Sequence, residues 1–469
     1  MPVIPLQTLI EVTGGTPVEI TDLNQSLLRI ETDSRKVLPG DLFWALEGER
    51  LDGHRFVKQA LTNGAIASIV STEKSGRSHG PRIEVENTLA ALWQLSNWYR
   101  RQFEALVIGL TGTVGKTTTR RMIASVLSTR YCGMESPHNY NNQYGVPLSL
   151  LMLEPQHEFA VIELGAARTG EIEELAAVSE PEVGVITAIG PAHLDGFDNL
   201  EAIVQTKGQL IDAIPDTGFA VLNGDDRQVR QMVARAQCPV IMVGEREHNT
   251  VRATNVTLEN NYLKFQVEES EFELNVIGRH HLHAALISIA IGRQLEMSDA
   301  EIAYGLKNFQ SVEGRSHGLQ MGDWTIIDDT YNANPLSMSA ACQILKDWNT
   351  SGKKILVTGD MLSLGDWTVD FHRMLGEEVA RSPINHLIAV GAQANTVTGS
   401  ARKSGMDAGC LGTCRDHDLA LMLLDCWLQP GDVVLVKGSR GMKMEAIVSG
   451  LKKLSENQSS IIPSQLKVA

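Results

Sequence analysis

The sequence predicts an α/β chain in three domains, and three observations predict it. An apolar run at 105–110, a glycine-rich loop and a helical segment at 120–127 follow one another in the order strand, loop, helix. From there to about Phe309, strand-like and helix-like segments alternate, and a second alternation begins near Glu313. With 469 residues, 43% of them hydrophobic, the chain is long enough for roughly two to four domains with ordinary cores.

The first hundred residues mix short strands and helices and end in a helix expected over 88–103. That helix carries Trp93, Trp98 and Tyr99 as packing residues. In the middle of the chain the apolar runs 159–162, 183–187 and 219–222 read as parallel strands buried on both faces. Segment 254–276 alternates apolar and polar residues, the pattern of antiparallel hairpin strands. The last block has strand candidates at 324–327, 354–358, 386–390 and 432–436 with helical segments between them, as in a doubly wound sheet. The tail after Leu454, rich in Ser, Gln and Pro, is expected to fray.

Composition excludes several function classes. A formal net charge of -15 argues against a general nucleic-acid binder, so an anionic substrate must be met by locally placed cations. The six cysteines include no Cys-x-x-Cys pair, and Cys410 and Cys414 lack a second pair to complete a zinc site. They read as reduced thiols of a cytoplasmic enzyme. The first fifteen residues, MPVIPLQTLIEVTGG, lack the basic and apolar regions of a signal peptide. No apolar run approaches the ~20 residues that span a bilayer.

The stretch Gly109-Leu-Thr-Gly-Thr-Val-Gly-Lys-Thr-Thr-Thr119 is close to a Walker A loop, although Leu110 stands where that pattern has its first glycine. Backbone N–H groups along Gly112, Thr113, Gly115 and Thr118, at a helix N-terminus, are suited to phosphate oxygens. Lys116 reaches the β/γ oxygens and the Thr117 hydroxyl ligates Mg²⁺ in this reading; the plain alternative is a glycine turn with a chance lysine.

Other polar clusters follow candidate strands, where open α/β sheets bind ligands. Glu163 and His193 are a carboxylate and an imidazole placed to hold a metal near a nucleotide, or else ordinary structural residues. The amide-dense Asn139-Tyr-Asn-Asn-Gln-Tyr-Gly-Val-Pro147 reads as donors and acceptors around a phosphate or peptide, or as a turn-rich loop. In Asp328-Asp-Thr-Tyr-Asn-Ala-Asn-Pro335 the acidic residues suit ribose hydroxyls, whereas Asn334 followed by Pro335 also suits a helix cap. Lys437-Gly-Ser-Arg-Gly441 suits carboxylate or phosphate recognition, or is an exposed turn.

Taken in order, these clusters resemble the Mur ligase family over nearly the whole chain. The first domain has Thr32-Asp-Ser-Arg35, Pro39-Gly-Asp-Leu-Phe43 and Gly48-Glu-Arg-Leu-Asp-Gly-His54. The centre has TGTVGKTTT, NYNNQYGVPL, Glu163-Leu-Gly with Gly170-Glu-Ile172, and Gly190-Pro-Ala-His193. The last domain has DDTYNANPLSM, Gly359-Asp-Met-Leu-Ser-Leu-Gly365 with His372, and KGSRG. Within the family, the NYNN, DDTYNANP and GDM segments point to the branch that adds D-alanyl-D-alanine to UDP-N-acetylmuramoyl-tripeptide in peptidoglycan precursor synthesis. The DSR and PGDLF pattern disfavours a folate ligase, while addition of the tripeptide's third residue and a catalytically impaired nucleotide-binding homologue stand as alternatives.

The resemblance implies an ADP-forming ligase that uses ATP and Mg²⁺ and passes through an acyl phosphate. It implies a UDP-MurNAc-peptide domain over 1–103, a P-loop ATP domain over 104–312 and a Rossmann-like domain over 313–469 that closes over both. Lys116, His193 and Lys207 are its catalytic residues. Thr117 serves a first Mg²⁺ and Glu163 and His193 a second, with Lys207 beside it as a carbamate unless it is an ordinary exposed lysine on an amphipathic helix. Arg315 and Asp329 match nucleotide contacts, and Ser34 and Arg35 the UDP-sugar segment. Asn141, Asn332, Asn334, Lys437 and Arg440 are the further substrate contacts. The partners are the two small-molecule substrates, with no nucleic acid and no membrane span, and the chain is expected to be a monomer.

The chain departs from the family pattern at two places. The family's Gly-x-His-Asn-x-x-Asn-Ala reads Gly278-Arg-His-His-Leu-His-Ala-Ala285 here, so Ala284 and His281 replace two asparagines, one of them an adenine contact. That bears on adenine recognition and not on phosphate binding, with His281 or His283 as compensating groups. Gln209 stands where glutamate is common.

Overall fold

The computed structural model describes residues 4–48, 51–77 and 79–461. Glu49 and Arg50 of one quoted motif, and the chain beyond 461, lie outside the described residues.

Three sheets organise the chain. In the first, four parallel strands, Arg29–Glu31, Asp41–Trp44, Ala67–Ser71 and Arg82–Val85, lie side by side, with Thr16–Val18 antiparallel at the edge. The strand Asp41–Trp44 is buried at every position. Asn87 caps the following helix, Thr88–Arg100, by accepting hydrogen bonds from the N–H groups of Leu89 and Ala90. The helix stops three residues short of the expected Phe103, where the Arg100 side chain turns to donate to the Phe103 carbonyl. Its aromatic side chains do pack inward. Trp93 donates to the Gln143 carbonyl at 2.8 Å and Tyr99 to the Leu153 carbonyl at 2.8 Å, joining the first unit to the core of the second.

The central sheet has nine strands. Gly133–Glu135, Phe159–Glu163, Leu106–Thr111, Val183–Ile186, Phe219–Asn223, Val240–Gly244 and the start of Val251–Glu259 run parallel in that spatial order. The expected antiparallel segment follows as Val251–Glu259, Tyr262–Val267 and Ser270–Asn275. After Leu106–Thr111 the chain fills one side, the edge strand Gly133–Glu135 before the inner Phe159–Glu163, and then crosses to the other, so the loop after Leu106–Thr111 opens into the crevice at a topological switch point. The helix Leu282–Gln294 buries Leu282 and every residue from Ala284 to Gly292, so it is apolar nearly all round and lies inside the core.

In the third sheet the order is His317–Met321, Trp324–Asp329, Val433–Lys437, Lys354–Gly359, His386–Val390 and Leu411–Cys414. All are parallel except His317–Met321, an antiparallel strand the sequence reading lacks. Helices Pro335–Asp347, Thr368–Arg381 and Ala394–Lys403 cover one face, and His417–Trp427 and Glu445–Ile461 the other. Of the tail expected to fray after Leu454, residues 455–461 continue the last helix, whose Ile447, Val448, Leu451 and Leu454 pack one face against the sheet, and the remainder lies outside the described residues. All six cysteines are free.

Candidate active site

The glycine loop turns the central strand into the helix Lys116–Leu127 through two residues with left-handed φ, Gly112 at +155° and Gly115 at +83°. A Cβ on Gly112 would come within 2.0 Å of the Thr187 hydroxyl, so close approach also requires glycine there. Thr187 donates to the Val114 carbonyl at 2.6 Å and Thr113 donates to the Gly190 carbonyl at 3.0 Å. The loop is thereby pinned to the segment after the neighbouring strand, with the N–H groups of the first helical turn facing the cleft.

Lys116 folds back over the loop and donates to the Gly112 carbonyl at 2.9 Å. Loss of solvent lowers its pKa; Glu163 opposes this and the Arg315 charge adds to it. Glu163 ends its strand almost completely buried and is held from three directions. One oxygen accepts from the Thr117 hydroxyl at 3.0 Å and from Arg120 at 3.4 Å, the other from the Asn141 amide at 2.8 Å. The amide-rich loop therefore places Asn141 on Glu163.

His193 has φ +51°, and the next N–H, from Leu194, donates to the Ser363 carbonyl at 2.9 Å across to the third unit. The ring keeps solvent contact but is crowded by protein, which lowers its pKa, as do the charges of Lys116 and Lys207. Lys207 lies on the helix Leu200–Asp212 and is only 3% exposed, so the alternative of an ordinary exposed lysine is overturned. Burial, then the Lys116 charge, hold its amine well below the usual lysine range, against weaker support from Glu163 and Glu171. The Lys207 amine has no hydrogen bond or ion pair with another described residue. Among the described residues no three His, Cys, Asp or Glu side chains converge as a ready metal cage.

The third unit closes the far wall of a cavity of about 420 Å³ that contains the loop, Glu163, Arg315, Asp329 and Lys437. Arg315 stacks on Tyr331, its Cζ 3.9 Å from the ring centroid, and burial lowers its pKa. Asp329 and Lys437 are paired at 2.7 Å, and Lys437 also donates to the Asn332 carbonyl at 2.9 Å. Lys437, expected as a substrate contact, lines the cavity with its ammonium held by Asp329, its neighbour in the strand register. Asn334 likewise caps the helix Pro335–Asp347, accepting from the Ser337 N–H at 2.9 Å while it lines the cavity. The Asn332 oxygen accepts from the Ala333 N–H. Arg440 is exposed and paired with Glu445.

Ala284 and His281 also line the cavity. His281 is buried with both ring nitrogens lacking partners, whereas His283 is paired with Asp225 at 3.0 Å. In the first unit, Ser34 is buried and donates to Gln59 at 2.8 Å, while Arg35 forms an exposed pair with Asp33. These two stand apart from the cavity. The sequence reading missed Arg120, whose guanidinium ties Glu163 to Glu135 and the His138 carbonyl, and missed the Asp225–His283 pair. Arg120 follows the threonines of the loop directly, so a buried guanidinium behind a phosphate loop was the available signal.

Sequence profiles match along the chain: "Mur ligase family, catalytic domain" over residues 28–100, "Mur ligase middle domain" over 110–292 and "Mur ligase, glutamate ligase domain" over 314–440. Among curated relatives, the UDP-N-acetylmuramoyl-tripeptide--D-alanyl-D-alanine ligase of Escherichia coli is 32% identical over 459 residues, covering 96% of this chain and 98% of that one. The protein of the same name from Synechocystis is 34% identical and covers 95% and 96%. Among solved structures, MurF from Acinetobacter baumannii superposes with a TM-score of 0.89 at 33% identity, over 97% of this chain and all of that one. MurF ligase from Thermotoga maritima in complex with ADP gives a TM-score of 0.79 at 28% identity, over 92% and 98%. With its three sheets, its phosphate loop and relatives of this similarity along almost its full length, the chain belongs to the Mur ligase family.

Proposed function

We propose that the chain joins D-alanyl-D-alanine to UDP-N-acetylmuramoyl-tripeptide with ATP, a step of peptidoglycan precursor synthesis in the cytoplasm. The observation that carries this reading is the cavity in which Lys116, Thr117 and Glu163 on the central sheet face Arg315 on the third unit. In this reading a carboxylate oxygen of the tripeptide attacks the γ-phosphorus, and the bond to the ADP oxygen breaks. The acyl phosphate is then attacked by the dipeptide amine, which loses a proton. The tetrahedral intermediate expels phosphate and leaves the amide. Phosphate is a far better leaving group than oxide, so the protein's work is positioning and charge neutralisation.

Lys116 and the loop N–H groups of Gly112, Thr113, Gly115 and Thr118 hold the phosphates, and Arg315 meets them from the opposite wall. Asp329 faces the nucleotide and is itself steadied by Lys437. Thr117 would hold one Mg²⁺, and Glu163, whose oxygen adjoins the Thr117 hydroxyl, would hold a second together with His193 and Lys207. Bound there, the ions would offset the negative charge of the phosphates. The donor chemistry fits only if Lys207 is not an ammonium. Its buried, partnerless amine is suited to take up CO₂ and become an oxygen-bearing carbamate. Segments 1–103, 104–312 and 313–469 serve the UDP-sugar, ATP and closure over both. Ser34 and Arg35 hold the UDP-sugar end, and Asn141, Asn332, Asn334 and Arg440 border the peptide substrates.

The test is product formation from ATP with UDP-MurNAc-tripeptides ending in diaminopimelate or in lysine. Each is offered D-alanyl-D-alanine, and UDP-MurNAc-dipeptide is offered the third residue. A pentapeptide product with stoichiometric phosphate is expected. Product only from the dipeptide would assign third-residue addition instead, and ATP binding without any product a non-catalytic homologue.

A further inference from the structure

We infer that Tyr331 is the positioning residue that holds Arg315 over the nucleotide phosphates. The inference rests on the phosphate role given to Arg315 above. Tyr331 follows the strand Trp324–Asp329, and its N–H donates to the Gly314 carbonyl at 3.1 Å, latching the segment before Arg315 to the one after Asp329. Gly314 has φ +71°, which sets the turn that lays the arginine on the ring. The Arg315 Cζ lies 3.9 Å from the ring centroid, well inside the ~6 Å reach of a cation–π contact.

No other tether is at hand. The Arg315 side chain makes no hydrogen bond to a described residue, and its buried Nε has no partner. The two carboxylates whose charges act on Arg315 are already engaged: Asp329 accepts from the Ser316 N–H and from Lys437, and Glu163 from Thr117, Arg120 and Asn141. A ring face attracts the cation without consuming its N–H donors, so the guanidinium is oriented while its fork stays open for phosphate oxygens. Arg315 forms part of the cavity wall and Tyr331 does not, so the ring acts through the arginine. The other cation near the ring, Arg440 at 5.7 Å, is exposed and already paired with Glu445.

The test compares Tyr331→Leu, Tyr331→Phe, Arg315→Ala and the double variant Arg315→Ala/Tyr331→Leu by steady-state kinetics, with melting temperatures as a fold control. Tyr331→Met replaces the leucine variant if that does not fold. Tyr331→Leu is expected to lower kcat/KM for ATP about 3- to 30-fold, the range of a cation–π contact, with the KM for the dipeptide unchanged. Tyr331→Phe keeps the ring and should stay within about twofold of wild type. In the Arg315→Ala background the leucine substitution should add no further loss. Wild-type kinetics for Tyr331→Leu beside a damaged Arg315→Ala would overturn this inference alone, as would a phenylalanine variant as poor as leucine, or additive losses in the double variant. Wild-type kinetics for Arg315→Ala would overturn the phosphate role of Arg315 and this inference with it.

Discussion

Lys207 combines a chargeable amine with near-complete burial and no partner, an arrangement that costs stability unless the site uses it. Lys207→Ala is expected to be nearly inactive, with partial recovery in acetate, which supplies an anion to the vacated space. Full activity of that variant in CO₂-depleted buffer would sink the carbamate reading. The same burial makes a stability prediction. The folded-state pKa lies below the ordinary 10.5, so between the two values the unfolded chain binds the extra proton and stability rises with pH. Lys207→Met, tested without nucleotide or CO₂, should therefore raise Tm at neutral pH, and the gain should shrink as pH approaches 10.5. A lower Tm at neutral pH would contradict the buried amine. At Lys116 the expectation is loss of turnover with an unchanged melting curve, because the ammonium stabilises charge developing on the transferred phosphoryl group. Near-normal turnover of Lys116→Ala would remove it from the mechanism. Ala284 lines the cavity, so an amide there has room to face a base. Ala284→Asn should lower the KM for ATP roughly 2- to 10-fold, the value of one net hydrogen bond. A large loss of ATP binding would mean instead that the histidine-rich turn leaves no space for it.

The helix Pro335–Asp347 shows how one element serves packing and site together. Asn334 and Ser337 form a reciprocal capping box, and Pro335 sits at the first helical position, where no N–H is needed. The inward residues Met338, Ala341, Cys342 and Leu345 then seat the helix on the third sheet, leaving its N-terminal turn at the cavity wall. Asn334→Ala should cost about 1 kcal/mol of stability in urea unfolding, whereas Asn334→Asp keeps the cap and should cost little. Equal destabilisation by both would show that the side chain works through its amide nitrogen and not as a cap.

Across the molecule, the nucleotide cavity draws its walls from two units: Lys116, Thr117 and Glu163 from the central one, Arg315, Asp329 and Lys437 from the third. A ligand that spans both must couple them. Hydrogen exchange with a non-hydrolysable ATP analogue should slow at 112–119 and at 314–331 together, and in Arg315→Ala only at the first segment. Protection confined to the central sheet in the native chain would mean that the third unit does not close on the nucleotide.

Much of this was legible in the sequence because it is local. A strand, a tight glycine turn and a helix within about twenty consecutive residues announce a phosphate loop, and period-two or continuous apolar runs announce strands, since each depends on neighbours in the chain. The third sheet's edge strand His317–Met321 escaped notice because its residues HGLQM lack a clear apolar alternation; pairing with Trp324–Asp329 makes it a strand. The roles of individual polar residues were less accessible for the same reason. Asp329 and Lys437 are 108 positions apart, and only parallel pairing puts them opposite one another and joins their charges. Asn141 is drawn to Glu163 across adjacent elements, and Lys207 is enclosed because its helix lies on the central sheet near the phosphate loop. Chain-local patterns name the elements and the kind of chemistry. Burial, register and the partner of each charge arise from contacts between distant segments, and those contacts decide which polar group stays free to meet a substrate.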